Sequence, residues 1–269
     1  MGHAMRCSMS IAAMLVCFFG SAPAQSQPSV APIPKECAAS ADGALSSVPL
    51  PNVANALKER KKLKILAIGG TSASLRGPVS GGHYAIVERF LEQTFKGLDV
   101  EIVHRGVSGE LAVDAAERIK YEVALSDADL VLWQLGTADA LARVPIDDFK
   151  SSVSDTILWL KARNIDVILV GVRYARVLAR DPKYQEIRKT LQDIAKERNV
   201  LRVTRYEAEE ALTKVRQNRE MEMVEITEAG YGCIAEFIAR AIVAGLFVKE
   251  RPPGAVAPQI PVPAPAPKN

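Results

Sequence analysis

Short apolar runs recur along the chain and alternate with longer segments in which apolar residues return every three or four positions. The runs have the length of strands, and they cover Leu63–Gly69, Leu98–Val103, Ala128–Leu135, Ile165–Val170 and Val200–Val203. The first of them is apolar at almost every position, which is typical of a strand buried on both faces. The pattern therefore predicts a sheet that is covered by helices on both sides.

Helical spacing follows each of these strands. The predicted helices cover His83–Lys96, Ala112–Ala124, Ile146–Arg163, Tyr184–Arg198, residues 206–219 and Glu228–Phe247. Regular alternation of strand and helix predicts an α/β fold, a three-layer α/β/α sandwich around a five-stranded, mostly parallel sheet. For the strand order 2-1-3-4-5, the ligand crevice lies at the carboxyl ends of strands one and three. The loops at Gly69–Ser74 and Gly136–Asp139 should therefore face each other, and the loop that ends at Gly109 should adjoin them.

The two ends of the chain differ from its middle in composition. Residues 1–24 have the features of a signal peptide, with a basic Arg6, an apolar stretch over residues 10–20 and an Ala-Pro-Ala cleavage site at residues 22–24. We therefore expect export to the periplasm or beyond the cell, with an uncleaved N-terminal anchor as the alternative. Residues 25–60 are interpreted as a flexible leader and a short helix, residues 61–248 as the domain, and residues 249–269 as a disordered tail rich in proline and alanine.

Composition and charge narrow the classes of partner. Apolar residues make up 48% of the chain and charged residues 24%, which are ordinary globular values. The formal net charge of +3 is too small to indicate nucleic acid or an anionic membrane surface as the partner. The sequence shows neither a metal-ligand cluster nor a dinucleotide motif, so we expect no metal and no other cofactor. After cleavage we expect no stable membrane span, and the oligomeric state stays open.

Two of the four cysteines, Cys37 and Cys233, would remain after removal of the signal peptide. In an exported chain such a pair favours a disulfide, and two free buried thiols are the alternative. The bridge would join the leader to the last helix and close a loop of almost the whole domain. In the chain-entropy model such a loop contributes about 4–5 kcal/mol.

Four short motifs lie at the ends of predicted elements. They are Ile-Leu-Ala-Ile-Gly-Gly-Thr-Ser at residues 65–72, Arg-Gly-Val-Ser-Gly-Glu at 105–110, Trp-Gln-Leu-Gly-Thr-Ala at 133–138 and Glu-Met-Val-Glu-Ile-Thr-Glu-Ala-Gly-Tyr at 222–231. In this order they resemble the four conserved blocks of the SGNH/GDSL hydrolase superfamily, whose members are flavodoxin-like esterases, lipases and deacetylases. The resemblance covers residues 63–245 and implies ester hydrolysis by a serine nucleophile, an Asp–His pair and an oxyanion hole.

Most of the positions to which the resemblance assigns a catalytic role are altered. Thr71 stands at the nucleophile position, Ala138 at the oxyanion asparagine, and Glu222 and Glu225 at the Asp and His positions. Only Gly109, whose backbone N–H is implied to bind the oxyanion, is unchanged. A glutamate with an ordinary pKa of about 4.3 is a far weaker base than histidine. Loss of one oxyanion donor typically lowers turnover by about 10²–10³. We therefore expect lost or strongly reduced hydrolysis.

Other residues near the predicted crevice could take over part of this chemistry. Ser72 is an alternative nucleophile, and His104, at the end of strand two, is an alternative base. Asp139 is expected to repel an oxyanion. Tyr174 and the arginines beside it could bind a sugar or an anion, or could simply pack the loop after strand four.

These observations lead to three functional hypotheses. The first is an exported family member that binds an acylated carbohydrate or a small ester, or acts as an accessory protein of the cell envelope. The alternative is an active esterase, deacetylase or acyltransferase that uses Thr71 or Ser72 with Glu225 or His104. A structural partner that uses the fold only as a scaffold is the third.

Overall fold

A computed structural model of the chain describes residues 48–70, 82–217 and 228–248. Its strands are β1 (Lys62–Gly69), β2 (Asp99–Gly106), β3 (Leu130–Gln134), β4 (Asp166–Val170) and β5 (Leu201–Val203). Its helices are α1 (Pro51–Glu59), α2 (Gly82–Thr94), α3 (Ala112–Ser126), α4 (Thr137–Leu141), α5 (Ile146–Lys161), α6 (Pro182–Glu197), α7 (Arg205–Gln217) and α8 (Glu228–Phe247).

The strands form one sheet of order β2-β1-β3-β4-β5, and every neighbouring pair is parallel. The predicted fold class and strand order are therefore confirmed. β1 lies between β2 and β3, with Gly69 aligned to Gly106 on one side and to Gln134 on the other. The strand order reverses direction at this point, so the carboxyl ends of β1 and β3 border the crevice expected for such a sheet.

Helices cover both faces of the sheet, and side chains of β1 alternate between the two layers. Leu63 and Ile65 pack in the layer that contains residues of α1, α2 and α8. Leu66 and Ile68 pack in the layer that contains residues of α3, α5 and α6. Because each face of β1 is buried, its sequence is apolar at nearly every position.

Residues 48–59 belong to the packed core, although they precede the first strand. Val53 and Ala56 of α1 are buried in the layer that also contains α8. The Leu50 backbone N–H donates to the carbonyl of Gly245 at 3.1 Å, and a Cβ on Gly245 would lie 2.6 Å from Cγ of Leu50. The core therefore extends in the amino-terminal direction beyond residue 61.

Two further properties concern only the described residues. Within residues 48–70, 82–217 and 228–248, the helices are too short or too polar to cross a membrane. Cys233 is buried in α8 and is disulfide-bonded. Its predicted partner, Cys37, lies outside the described residues, so that pairing stays a prediction.

Candidate active site at the carboxyl edge of the sheet

The carboxyl ends of β1 and β3 are held together by backbone contacts that require glycine. Gly69 has a φ of +113°, and a Cβ there would lie 1.8 Å from the carbonyl oxygen of Gln134. The Gly70 N–H donates to that same oxygen at 3.4 Å, and Gln134 Nε2 donates to the Gly70 carbonyl at 3.2 Å. β1 and β3 therefore bring residue 70 directly to the crevice edge, which is where the sequence places the nucleophile loop.

Several of the predicted site residues cannot be placed. Thr71 and Ser72 follow Gly70 directly but lie in residues 71–81, outside the described part of the chain. Glu222 and Glu225 lie in residues 218–227, which are also outside it. Their roles as nucleophile and as replacements for the Asp and His therefore stay predictions.

The loop after β2 adjoins this edge, as the strand order requires. The Val107 N–H donates to the carbonyl of Gly69 at 2.9 Å, which ties the loop to the end of β1. Gly109 is exposed in the turn that follows, with a φ of +73° and open space around the position of a Cβ. The glycine thus has the conformational freedom of an exposed turn, and its proposed role as an oxyanion donor stays a prediction.

After β3 the chain turns at Gly136 into the short helix α4. Gly136 has a φ of +97°, and a Cβ there would lie 2.7 Å from Val172. Ala138 is the second residue of α4 and is half-buried. Its methyl group carries no donor, so at the position that the resemblance gives to an oxyanion asparagine the side chain cannot donate a hydrogen bond.

Asp139, next to Ala138, is buried and bound to backbone. One carboxylate oxygen accepts from the Ala112 N–H at 2.7 Å, and the other accepts from the Gly136 N–H at 3.0 Å. Burial raises the pKa of this carboxyl, and the hydrogen bonds from Ala112 and Gly136 partly offset that rise. Asp139 therefore joins the start of α3 to the start of α4, a structural role that the sequence analysis did not foresee.

A polar network fixes the loop after β4. Thr137 Oγ1 accepts from the Arg173 N–H at 3.2 Å, and the Tyr184 hydroxyl donates to the Arg173 carbonyl. The Tyr174 N–H donates to Glu209 at 2.7 Å. The Tyr174 ring packs edge-on against a neighbouring tyrosine on α7 at 5.2 Å. Tyr174 thus has clear packing partners in the described chain, and its predicted contact with a ligand is untested.

Glu209 is itself bound by a buried arginine at the start of α7. Arg205 is only 1% exposed, and its Nε donates to Glu209 at 2.8 Å. A guanidinium is buried only where it is paired, so this bond stabilises both the charge and the loop that holds Tyr174. The pair is a supporting feature of the site that sequence reasoning missed, because arginine and glutamate four residues apart are common on exposed helices.

Two histidines lie on the helical layer that contains α2 and α8. His83, in the first turn of α2, is fully buried, and its ring lies 4.2 Å from that of Tyr84. The Tyr84 ring lies in turn 5.4 Å from that of His104 on β2. Burial is the main cause that lowers the pKa of His104, and burial followed by the charge of Arg205 holds the pKa of His83 well below its ordinary range. Both shifts favour the neutral form of the imidazole.

A cavity of about 330 Å³ lies at the opposite, amino edge of the sheet. Its lining includes Asn52, Lys161, Asp166 and Asn199. It is separated from the crevice by the length of the strands and does not belong to the candidate active site. Across the described ranges, His, Cys, Asp and Glu side chains form no group of three that could hold a metal ion.

The sheet order, the glycine turns after β1 and β3, and the crevice between them define an α/β protein of the SGNH hydrolase type. The sequence model of the non-GDSL lipase-like family matches residues 36–247. The chain belongs to this family and, through it, to the SGNH hydrolase superfamily.

Solved structures with the same fold are distant in sequence. The acetylxylan esterase Axe2 from Geobacillus stearothermophilus is 22% identical, with 67% of this chain and 94% of Axe2 covered and a TM-score of 0.57. TesA is 16% identical, with coverage of 66% and 97% and a TM-score of 0.55. A structure assigned to the G-D-S-L lipolytic family from Desulfitobacterium hafniense is 21% identical, with coverage of 66% and 98% and a TM-score of 0.50. No curated protein sequence matches the chain.

Proposed function

We propose that this chain is an exported member of the non-GDSL lipase-like family that binds an acylated carbohydrate and has lost hydrolysis of its ester through Thr71 or Ser72. The observation that carries the proposal is Ala138. It lies at the start of α4, after β3, at the position that the resemblance assigns to an oxyanion asparagine. Loss of one such donor typically costs about 10²–10³ in turnover.

Binding is retained in this proposal because contacts between described residues hold the ends of β1 and β3 at this edge of the sheet in place. Gly69 and Gln134 pack closely where the strand order reverses, at the ends of β1 and β3. Asp139 binds the start of α4 to the start of α3. Such contacts keep a binding surface ordered whether or not the chemistry proceeds. An accessory role at the cell envelope agrees with the signal-peptide pattern of residues 1–24.

Acylated carbohydrates are the first ligands to test. Axe2, which has the same fold, is an acetylxylan esterase. Axe2 and this chain share a fold, and this likeness supports the choice of ligand to test but assigns no activity to this chain.

A second candidate function is slow but genuine ester hydrolysis, in which Thr71 or Ser72 is the nucleophile and Glu225 or His104 is the base. A histidine must be unprotonated to act as a general base. Burial lowers the pKa of His104, which favours that form.

Hydrolysis of p-nitrophenyl acetate and of acetylated xylo-oligosaccharides separates the two candidates. The purified full chain is compared with Thr71→Ala and Ser72→Ala, and Thr94→Ala, on the exposed end of α2, is the matched control. We expect any residual turnover to be the same in all four proteins. Turnover that Thr71→Ala or Ser72→Ala abolishes while Thr94→Ala keeps it would overturn the proposal and establish the esterase.

Ligand binding is measured separately by calorimetry with acetylated and deacetylated forms of the same oligosaccharide. We expect the acetylated form to bind more tightly, and equal or absent binding would contradict the carbohydrate part of the proposal.

Export is tested by fractionation and by N-terminal sequencing of the mature chain. Protein that stays in the cytoplasm with residues 1–24 intact would contradict it.

A further inference from the structure

The turn that carries Gly109 is held at both of its ends by a single guanidinium, that of Arg118 on α3. Nε and Nη2 of Arg118 donate to the two carboxylate oxygens of Glu110 at 2.5 and 3.1 Å, and Nη2 also donates to the carbonyl of Arg105 at 2.7 Å. Arg105 lies near the end of β2, before the turn, and Glu110 directly follows Gly109. One side chain therefore fixes the two points between which residues 106–109 run.

The carboxylate of this ion pair is almost fully withdrawn from water. The side chain of Glu110 is 3% exposed, and that of Arg118 is 31% exposed. Two parallel N–H···O bonds from one guanidinium are a strong and directional form of pairing for a buried carboxylate. Removal of the guanidinium would leave the Glu110 carboxylate buried without this partner, which is a far larger change than the loss of an exposed ion pair.

A second acid on α3 supports the same arrangement. Glu122 lies one helical turn after Arg118, and one of its carboxylate oxygens is 3.5 Å from Nη1 of Arg118. The other oxygen accepts from Nε of Arg105 at 3.0 Å. Arg105 is thus held on α3 through its backbone carbonyl and through its side chain, so the point at which the chain leaves β2 is fixed.

The turn itself presents N–H groups without acceptors at the edge of the candidate active site. The Glu110 N–H donates to the Val107 carbonyl at 3.4 Å, which closes a four-residue turn with Ser108 and Gly109 at its centre. The φ of +73° at Gly109 is that of the third residue of a type II turn. Within the described chain, the N–H groups of Ser108 and Gly109 have no hydrogen-bond acceptor. Because the Val107 N–H is bound to the Gly69 carbonyl, this turn is tied to the end of β1.

We propose that Arg118 is a positioning residue for ligand binding, and that through Glu110 it holds the Gly109 N–H in the orientation that donates to the carbonyl oxygen of the ligand's acyl group. This inference rests on the proposed function, in which an acylated carbohydrate binds at the crevice. A donor that is already ordered loses little conformational freedom when the ligand arrives, so its hydrogen bond adds more to the affinity than that of a mobile donor. A deacetylated ligand lacks the carbonyl and gains nothing from the ordered turn.

The first test follows the Gly109 amide by ¹⁵N relaxation in the ligand-free protein, so its result does not depend on any ligand. The full chain is labelled with ¹⁵N-glycine, and the signal of Gly109 is identified by its absence in Gly109→Ala. We expect a backbone order parameter of ~0.85 for Gly109 in the parent chain and below ~0.6 in Arg118→Gln. Gly97, an exposed turn glycine with a φ of +77° and open space around the position of a Cβ, is the internal control and should not change.

Three further variants separate the bridge from the charge. Lys120→Gln removes an exposed ion pair with Glu117 on the same helix and should leave Gly109 ordered. Arg118→Lys keeps the charge but lacks the planar fork, so we expect Gly109 to be as mobile as in Arg118→Gln. Glu110→Gln, whose amide oxygen replaces only one of the two acceptors, carries the same test if Arg118→Gln fails to fold. An ordered Gly109 in the folded variants of Arg118 and Glu110, or equal mobility in Lys120→Gln, would overturn the proposal.

The second test compares the affinities of the parent chain and of Arg118→Gln for acetylated and deacetylated xylo-oligosaccharides. We expect Arg118→Gln to lower the preference for the acetylated form about five-fold, the usual effect of one neutral hydrogen bond, and to leave the affinity for the deacetylated form unchanged. A merely structural role of the ion pair would lower both affinities equally, and that result would overturn the proposal. If the parent chain binds neither form, the proposed function and the ligand's part in this inference fail together, while the order of Gly109 still decides whether Arg118 positions the turn.

Discussion

Asp166 provides the sharpest quantitative test of the fold, because its burial and its hydrogen bonds act on its pKa in opposite directions. It lies at the start of β4 and is 7% exposed. One carboxylate oxygen accepts from the backbone N–H groups of Asn52 and Val53 and the other accepts from Asn52 Nδ2, all at 2.9 Å. The carboxylate thus caps α1 across 114 positions of sequence. Burial raises its pKa to about 6, although these bonds and Lys161 lower it.

The size and sign of the effect follow from linkage. The difference between about 6 in the folded chain and the ordinary value of 3.8 corresponds to about 3 kcal/mol, at ~1.4 kcal/mol per pKa unit. Between these two pH values the folded chain holds a proton that the unfolded chain has released. The free energy of unfolding contributed by Asp166 therefore falls as the pH rises through this window.

Asp166→Asn removes the titration while keeping the shape of the side chain. Its carbonyl oxygen can accept from both backbone N–H groups, and the Asn52 amide can turn its oxygen toward the new amide. We expect the free energy of unfolding of Asp166→Asn minus that of the parent chain to grow by about 2.4 kcal/mol from pH 4 to pH 7, the part of the full difference that falls within this range. Below pH 4 the two proteins should be about equally stable.

Urea unfolding followed by far-ultraviolet circular dichroism, without reductant, measures this difference. Asp148→Asn, on the exposed first turn of α5, is the matched control and should show no pH-dependent difference of this size. A difference between Asp166→Asn and the parent that stays constant with pH, or that shrinks as the pH rises, would refute the reasoning. The second result would mean that the three donors outweigh burial.

Two further predictions use matched pairs of substitutions. Asp139→Asn should cost about 1–3 kcal/mol in the free energy of unfolding, since each carboxylate oxygen accepts from a different backbone N–H and the new amide must face one of them. Urea unfolding at pH 4 should therefore give Asp139→Asn a lower free energy of unfolding than Asp166→Asn, and equal values would contradict this prediction. Gly69→Ala should lose more than about 4 kcal/mol or fail to fold, because its Cβ would meet the Gln134 carbonyl. Gly109→Ala, in open space, should cost only about 1–2 kcal/mol, and similar losses in thermal unfolding would contradict the geometry.

The sheet could be predicted from the sequence because its signal is local. β1 is buried on both faces, so its apolar run marks both its position and its length. The helix Glu228–Phe247 was predicted with the bounds that the structure has, since its apolar residues repeat over five turns. α4, with five residues, is too short to show a period, and the sequence analysis assigned Gly136–Asp139 to a loop.

The supports of the site could not be predicted because their partners are distant along the chain. Asp139 accepts a bond from a residue 27 positions away, and Tyr174 is held by Glu209, which is 35 positions away. Neither separation leaves a pattern in a single sequence. His83 is a similar case, because its burial depends on the packing of α2 against β2 and α8 and not on its own neighbours in sequence.

Ala138 and Asp139 show why a preserved crevice does not imply preserved chemistry. Asp139 holds the starts of α3 and α4 together, so its loss would disturb the fold whatever the crevice does. Ala138 is half-buried, and the only bond of its backbone carbonyl in the described chain closes the turn of α4. A side chain at 138 can therefore change without loss of the helix. Selection for stability alone would keep Asp139 and leave residue 138 unconstrained. The chemistry can therefore be tested by combining Thr71→Ser, Ala138→Asn and Glu225→His, which leaves the supporting contacts of Asp139 unchanged.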